Sequence, residues 1–271
     1  MIKRAAEKFI KLIMFKRGYS SYFALIAFKK HWEDFSKNPT TSWRQKIWAQ
    51  RRGFHSSKIS VYGLTEENWR DYVPDFAYLK MHPINGSYSH WIDDKLTIRY
   101  LLAPFQEYLP DYYCQINNGQ VVALPDATPG FAADIAGVLT LLQEVGDLAV
   151  KPAAGTKGIG FFKISYDDRS YFINQVEKQP EEIHKLLQQL QGYIVTEYLP
   201  AHSSLGRIYP HAANSVRVHV INDVGSDPLL ACAYIKFGTA ESGVVDNTSA
   251  GGVIAEIDIA SGKFSNGLVY G

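Results

Sequence analysis

Cysteine is nearly missing from this chain: Cys114 and Cys232 are the only two in 271 residues. Two thiols cannot build a disulfide framework, so the chain is read as one kept in a reducing cytosol. A long apolar run is missing as well. A membrane-spanning helix needs about 20 apolar residues, and residues 21–28 (SYFALIAF) are far shorter. No small-residue cleavage site follows a signal-like core, so export is not expected and a cytoplasmic location is. Net charge is also small. A balance of +1 speaks against a general nucleic-acid binder, so no nucleic-acid partner is expected. There is no internal repeat and no low-complexity tract.

What is present is ordinary globular material: 46% hydrophobic residues and 13% aromatics, enough for one large domain or two small ones. The charge is unevenly spread. Residues 1–30 hold eight Lys/Arg against Glu7 alone, +7, which leaves −6 for the remainder. Residues 1–36 read as one or two helices broken near Gly18. Ala5, Phe9, Ile10, Leu12, Ile13 and Phe15 give an apolar side, and Lys3, Lys8, Lys11 and Lys16 a basic one. Two readings stand: a helix packed on the protein, or an interfacial helix resting on anionic lipid, making the protein peripheral to a membrane.

Further on, residues 43–52 form a short basic helix, and Thr65 caps another at TEENW. A helix spans Trp91–Leu102 with Asp93 or Asp94 as its cap. Strands at 112–116 and 121–124 flank an Asn-Asn-Gly turn. Helices follow at Phe131–Glu144 and Pro180–Leu190, and a buried strand at Tyr193–Tyr198. From Ser215 the pattern is nearly all β, at 216–221, 230–237 and 252–259. His202, His211 and His219 match no metal spacing and read as loop or strand histidines.

The centre of the chain is Asp147–Ile164, DLAVKPAAGTKGIGFFKI: a strand, a glycine-rich loop and a second strand. Gly155, Gly158 and Gly160 surround Thr156 and Lys157, with Lys151 at the entrance. Dense glycine lets backbone approach a ligand, and inward N–H groups can cradle phosphate. An ordinary glycine-turn hairpin gives the same pattern. A Walker loop and a Rossmann loop each open a helix, which this one does not. The HRD and DFG signatures of protein kinases are absent.

Taken in order, Asp94-Lys95, Val150-Lys151-Pro152 with the glycine loop, VTEYL (195–199), NSVRV (214–218), YIK (234–236), Asp246-Asn247 and Gly251-Gly252 resemble the ATP-grasp superfamily of carboxylate–amine ligases. The wording YGLTEENW, HPINGSYSHWIDDK and VDNTSAGG is similar to its sugar-transfer-associated branch, related to teichuronopeptide synthesis, over roughly residues 60–271. The resemblance implies an α+β fold: a helical region at 1–90, then an ATP-grasp domain at 91–271 whose two α+β subdomains hold ATP. It implies that Lys95 and Lys151 touch phosphate, that Gly155, Thr156, Lys157, Gly158 and Gly160 close over it, and that Glu197, Tyr198 and Leu199 read the adenine edge. Arg217, Lys236 and Asn247 would face the transferred phosphate, and Gly251-Gly252 would lie near it. ATP and Mg²⁺ would be the cofactors. The metal ligands stay unassigned. The family's late acid-x-Asn pair is missing, and only Asp246, Glu256 and Asp258 are carboxylate candidates. The C-terminal metal-binding segment is thus expected to be absent and turnover poor.

The reaction so implied is ATP-driven joining of a carboxylate to an amine through an acyl-phosphate, on a precursor of capsule-like cell-surface polysaccharide. A non-catalytic nucleotide-binding module and an ATP-dependent sugar kinase are the alternatives.

Overall fold

A computed structural model describes residues 2–37, 41–156, 158–222 and 225–269, with side chains from Glu7 onward except those of residues 21, 22 and 37. The chain divides into two compact units, Met1–Ser89 and His90–Gly271. In the first, α1 (Ile2–Lys16) and α2 (Ser21–Lys37) are separated at Gly18, whose φ of +87° suits glycine. Met14, Tyr19, Ala24, Ala27, Phe76 and Leu79 form their shared core. Then come α3 (Trp43–Arg51), α4 (Lys58–Val61) and α5 (Asp75–Met81). Ser42 and Gln45 close a capping box on α3. The helix expected at Thr65 is only a turn and a 3-10 stretch, Trp69–Asp71. The Thr65 hydroxyl accepts from Glu67 N and the Asn68 side chain accepts from Thr65 N, so the capping atoms close a turn that no helix continues.

The helix expected over Trp91–Leu102 is broken into α6 (Ser89–Asp93) and α7 (Lys95–Leu101). Asp94 is extended, accepts from Thr97 N at 2.7 Å and forms a β-bridge with Ala154. That long-range pairing overrides the local helical pattern. β1 (Tyr112–Asn117) and β2 (Gln120–Ala123) follow, then α8 (Ile135–Val145). α8 starts four residues later than expected because Asp134 is its cap, accepting from Gly137 N.

β3 (Asp147–Pro152) and β4 (Phe162–Asp167) flank the glycine loop, and β5 (Ser170–Ile173) and β6 (Val176–Lys178) extend the sheet. The sequence reading missed β5 and β6. Their turns place Asp168, Arg169, Asn174 and Gln175 at positive φ without a glycine to signal it. α9 (Pro180–Gln189) and β7 (Tyr193–Glu197) complete a seven-stranded antiparallel sheet in the order β2-β1-β7-β3-β4-β5-β6. Beyond it, α10 (Ser203–Gly206) leads to a four-stranded sheet, β11-β10-β9-β8, built from β8 (Val216–Ile221), β9 (Leu229–Phe237), β10 (Val253–Ile257) and β11 (Leu268–Val269). Helices and antiparallel sheets make the fold α+β, as expected.

Strand alternation divides the large sheet into two faces. Leu148 and Val150 share one with Ile164 and Val195, and pack with Val138 and Leu141 of α8 and Ile183 and Leu187 of α9. Ala149 and Lys151 fall on the other. Leu148→Ala leaves a hole in the helix-covered face and is expected to cost about 2–5 kcal/mol. A lower urea midpoint at unchanged slope measures it; an unchanged midpoint counts against this packing.

Candidate functional site

The other face of the large sheet carries Ala149 and Lys151 on β3, with Thr196 and Ile194 opposite on β7, and Leu96 of α7 packs against the cluster that holds Ile194. The last paired residues of that ladder are Leu148 and Glu197, so the backbone of Tyr198 and Leu199 runs on beyond it. A cavity of about 270 Å³ opens here, lined by Ala149, Phe161, Tyr198, Leu199, Val244 and Val245 among others. The small side chain of Ala149 leaves the floor flat. The Glu197 carboxylate is turned to the backbone, accepting from Asp111 N at 3.2 Å.

A larger cavity of about 510 Å³ adjoins it and shares Lys151, Gly158, Phe161, Asp246 and Asn247 with it. Lys95, Gly155, Thr156 and Arg217 line this larger space. The Lys95 ammonium donates to Pro152 O at 3.0 Å and Gly155 O at 2.9 Å, so it fastens the root of the glycine loop. Gly158 and Gly160 have φ of +71° and +74°. A Cβ at Gly158 would lie 2.6 Å from Asn247 Nδ2, and one at Gly160 2.6 Å from the Tyr193 hydroxyl. Both need glycine for conformation and for space. Gly155 has neither demand: a Cβ there would meet Pro152 at 3.4 Å, an ordinary distance. Lys157 lies outside the described residues.

The small sheet supplies the opposite wall. Arg217 pairs with Tyr234, so the two side chains share a face with Lys236, Ile254 and Glu256. Arg217 reaches the cavity with no acidic partner among the described residues. Lys236 lines it too, but its ammonium is 2.8 Å from Asp246 Oδ1. Asp246 also accepts from Ser215 N at 2.8 Å and from the Ser215 hydroxyl. Gly251 and Gly252 line neither cavity. Gly252 N donates to Asn247 O at 3.0 Å, and a Cβ there would sit 2.7 Å from Asp246 O. The glycine pair therefore folds the Asp246–Asn247 backbone into place.

Electrostatics single out Lys151. Burial, and then the positive charge of Lys95, lower its pKa to about 8. No acid among the described residues pairs with it. Burial also lowers Lys95, opposed by Asp94 and Asp93. Burial would raise the Asp246 carboxyl, yet the bonds from Lys236 and Ser215 and the Lys236 charge hold it below the ordinary carboxylate range. The cavity thus has one cation already neutralised, Lys236, one held by backbone carbonyls, Lys95, and two, Lys151 and Arg217, with no such partner among the described residues.

Magnesium takes one or two protein carboxylates in addition to phosphate and water oxygens. Among the described residues Asp93, which is exposed, and Asp246 are the carboxylates that line the larger cavity, so at most one uncommitted carboxylate is at hand for that role. The described residues form no group of three potential ligands. Asp246 is committed to Lys236 and Ser215, and Glu256 is exposed. Asp258 closes the turn after β10 by accepting from Ser261 N at 2.7 Å.

Asp93, Ala149, Phe161, Val244, Val245 and Asp246 belong to the walls but were not singled out as site residues from the sequence, except that Asp246 was considered as a carboxylate for metal. Apolar wall residues carry no motif. The aspartate beside Asn247 was the one usable signal.

Two antiparallel sheets line one cavity beneath a glycine loop, with Lys95 and Lys151 at the strand end where that loop begins, in an α+β frame. The family described as sugar-transfer associated ATP-grasp matches residues 79–269, and the chain belongs to it. No curated protein and no solved structure matches the chain.

The Lys151 ammonium is expected to titrate near pH 8 in the free protein. NMR of ¹³C-methylated lysines should show one resonance in that range, lost in Lys151→Met and moved upward in Lys95→Met. A Lys151 signal titrating at the ordinary lysine value contradicts the buried, repelled state.

Proposed function

We propose that this protein binds ATP in the two adjoining cavities and is an ATP-dependent carboxylate–amine ligase in cell-surface polysaccharide synthesis. The observation that carries the reading is Lys151, a half-buried lysine that lines both cavities, is repelled by Lys95 and is answered by no carboxylate among the described residues. Such a group is stabilised by an incoming polyanion. Adenine fits the apolar slot over Ala149, beside the free hinge backbone of Tyr198 and Leu199. The phosphates then fall in the larger cavity beneath the glycine loop. Lys151 and Arg217 oppose their charge from two walls, and Asn247 is within the same lining.

In this reading a carboxylate oxygen attacks the terminal phosphorus and ADP leaves. An amine then attacks the acyl carbon, loses a proton and expels phosphate. Lys151 and Arg217 hold and orient the anions, and Lys236 fixes Asp246 beside them. A magnesium ion, when present, would neutralise phosphate charge, but no step is assigned to it. The polysaccharide setting rests on the family description. A non-catalytic nucleotide-binding module is the second reading, favoured by the commitment of Asp246 to Lys236 and Ser215.

Removing a charge-assisted contact worth about 1.5–3 kcal/mol lowers affinity at least about tenfold, and this is the expected effect of Lys151→Ala on ATP binding in calorimetry. The pH dependence has a definite sign. Lys151 must be protonated to meet phosphate, so ATP affinity falls as pH rises through about 8 and binding takes up a proton there. Equal affinity in both proteins, or a flat profile across that range, contradicts the site. Release of ADP and phosphate with uronate and amine acceptors supports the ligase; tight binding without turnover supports the module.

A further inference from the structure

The N-terminal unit carries a surface that the nucleotide site does not use. At 3.6 residues per turn, α1 has two sides. Ile10 and Met14 turn inward, with Met14 only 3% exposed. Glu7, the single acid of α1, lies on that inward half. The opposite side holds Lys8, Phe9, Leu12, Phe15 and Lys16. Phe9, Leu12 and Phe15 are 64%, 54% and 65% exposed. Lys8, Lys11, Lys16 and Arg17 are exposed around them. On α2, Ala24 and Ala27 are buried, and beside them Phe28, Trp32 and Phe35, spaced four and three residues apart, form an exposed stripe. Exposed Lys29 and Lys30 adjoin it.

A helix facing only water has no use for three large apolar side chains on its outer side. We propose that this outer side of α1 lies against an anionic lipid surface. Phe9, Leu12 and Phe15 enter the boundary between headgroups and acyl chains. Lys8 and Lys16 lie along them and extend their ammonium groups to lipid phosphates. Lys11 and Arg17 add to the attraction from the flanks. No helix among the described residues is long and apolar enough to cross a membrane, so the contact is peripheral. A second copy is a poorer occupant. A two-fold contact sets each patch on its own kind, bringing Lys8, Lys11, Lys16 and Arg17 against the same four cations. Lys3 and Arg4 lie outside the described side chains, and the proposal does not use them.

The test is sedimentation of the full chain with vesicles of phosphatidylcholine alone or mixed with phosphatidylglycerol. Binding to the mixed vesicles is expected to be at least about tenfold stronger, and to weaken as salt is added. Phe9→Ser/Leu12→Ser/Phe15→Ser and Lys8→Gln/Lys11→Gln/Lys16→Gln are each expected to lower partitioning at least about tenfold. Helicity by circular dichroism and nucleotide affinity should stay unchanged in both. If a triple variant loses helicity, the single change Leu12→Gln replaces it and is expected to lower partitioning in the same direction. The proposal is overturned by equal binding to both vesicle types, by salt-independent binding, by no binding of the unaltered chain, or by a solution dimer that the apolar variant separates.

Discussion

Two ammonium groups converge on the end of one strand, and the arrangement of the C-terminal unit follows from how each is accommodated. Lys95 is taken up by backbone carbonyls at Pro152 and Gly155. Lys151 receives no such partner among the described residues and sits with its charge disfavoured by burial and by Lys95. Bringing like charges together in a partly dry place costs free energy unless something anionic arrives. The fold holds that cost in place through the antiparallel β3–β7 ladder, in which Lys151 faces Ile194 and cannot turn to the helix-covered side. Alternation assigns Leu148 and Val150 to the core and Ala149 and Lys151 to the cavity linings, so core and cavity are built from neighbouring residues of one strand.

The small sheet solves a related problem differently. Lys236 lies near the same cavity, yet Asp246 cancels it, and Ser215 fixes Asp246 from the other side. A mutually satisfied, mostly buried pair is a geometric anchor more than a source of free charge. It holds the backbone before Asn247, whose side chain lies against Gly158 of the opposite loop. The wall is thus stiff where the pair sits and cationic where Arg217 projects. The glycine loop is the adaptable part: Gly158 and Gly160 accept conformations that other residues strain to adopt.

Much of this was legible in the sequence, and the exceptions have physical causes. The strand–loop–strand hairpin could be read because apolar runs and glycines mark it directly. The strand at Tyr193–Glu197 was announced by its β-branched centre and the following Leu199-Pro200. By contrast, β5 and β6 turn on Asp168-Arg169 and Asn174-Gln175, which adopt positive φ with no glycine to betray them. The break before Lys95 depends on Asp94 pairing with Ala154, a contact invisible to any local window. Lys236 read as a free cation because its partner, Asp246, is ten residues away and on no shared periodic element. Sequence shows which charges exist; only the fold shows which are already spent.

That distinction also governs what the net charge can mean. A total of +1 conceals +7 in the first 30 residues and −6 in the rest. Read as a sum, the C-terminal part should repel an anion. Charges beyond roughly 8 Å are largely screened at physiological ionic strength, so the exposed acids of that part weigh little at the cavity. Lys151 and Lys95 are partly withdrawn from water and are screened less. Asp246, the carboxylate that lines both cavities, is paired. Asp93 also lines the larger cavity and, with Asp94, opposes the charge of Lys95, so the cations there without an acidic neighbour among the described residues are Lys151 and Arg217. On the proposed reading of the cavity, a small phosphate-bearing ligand would meet Lys151 and Arg217 at short range, while an extended polyanion such as duplex nucleic acid would meet the acidic surroundings as well.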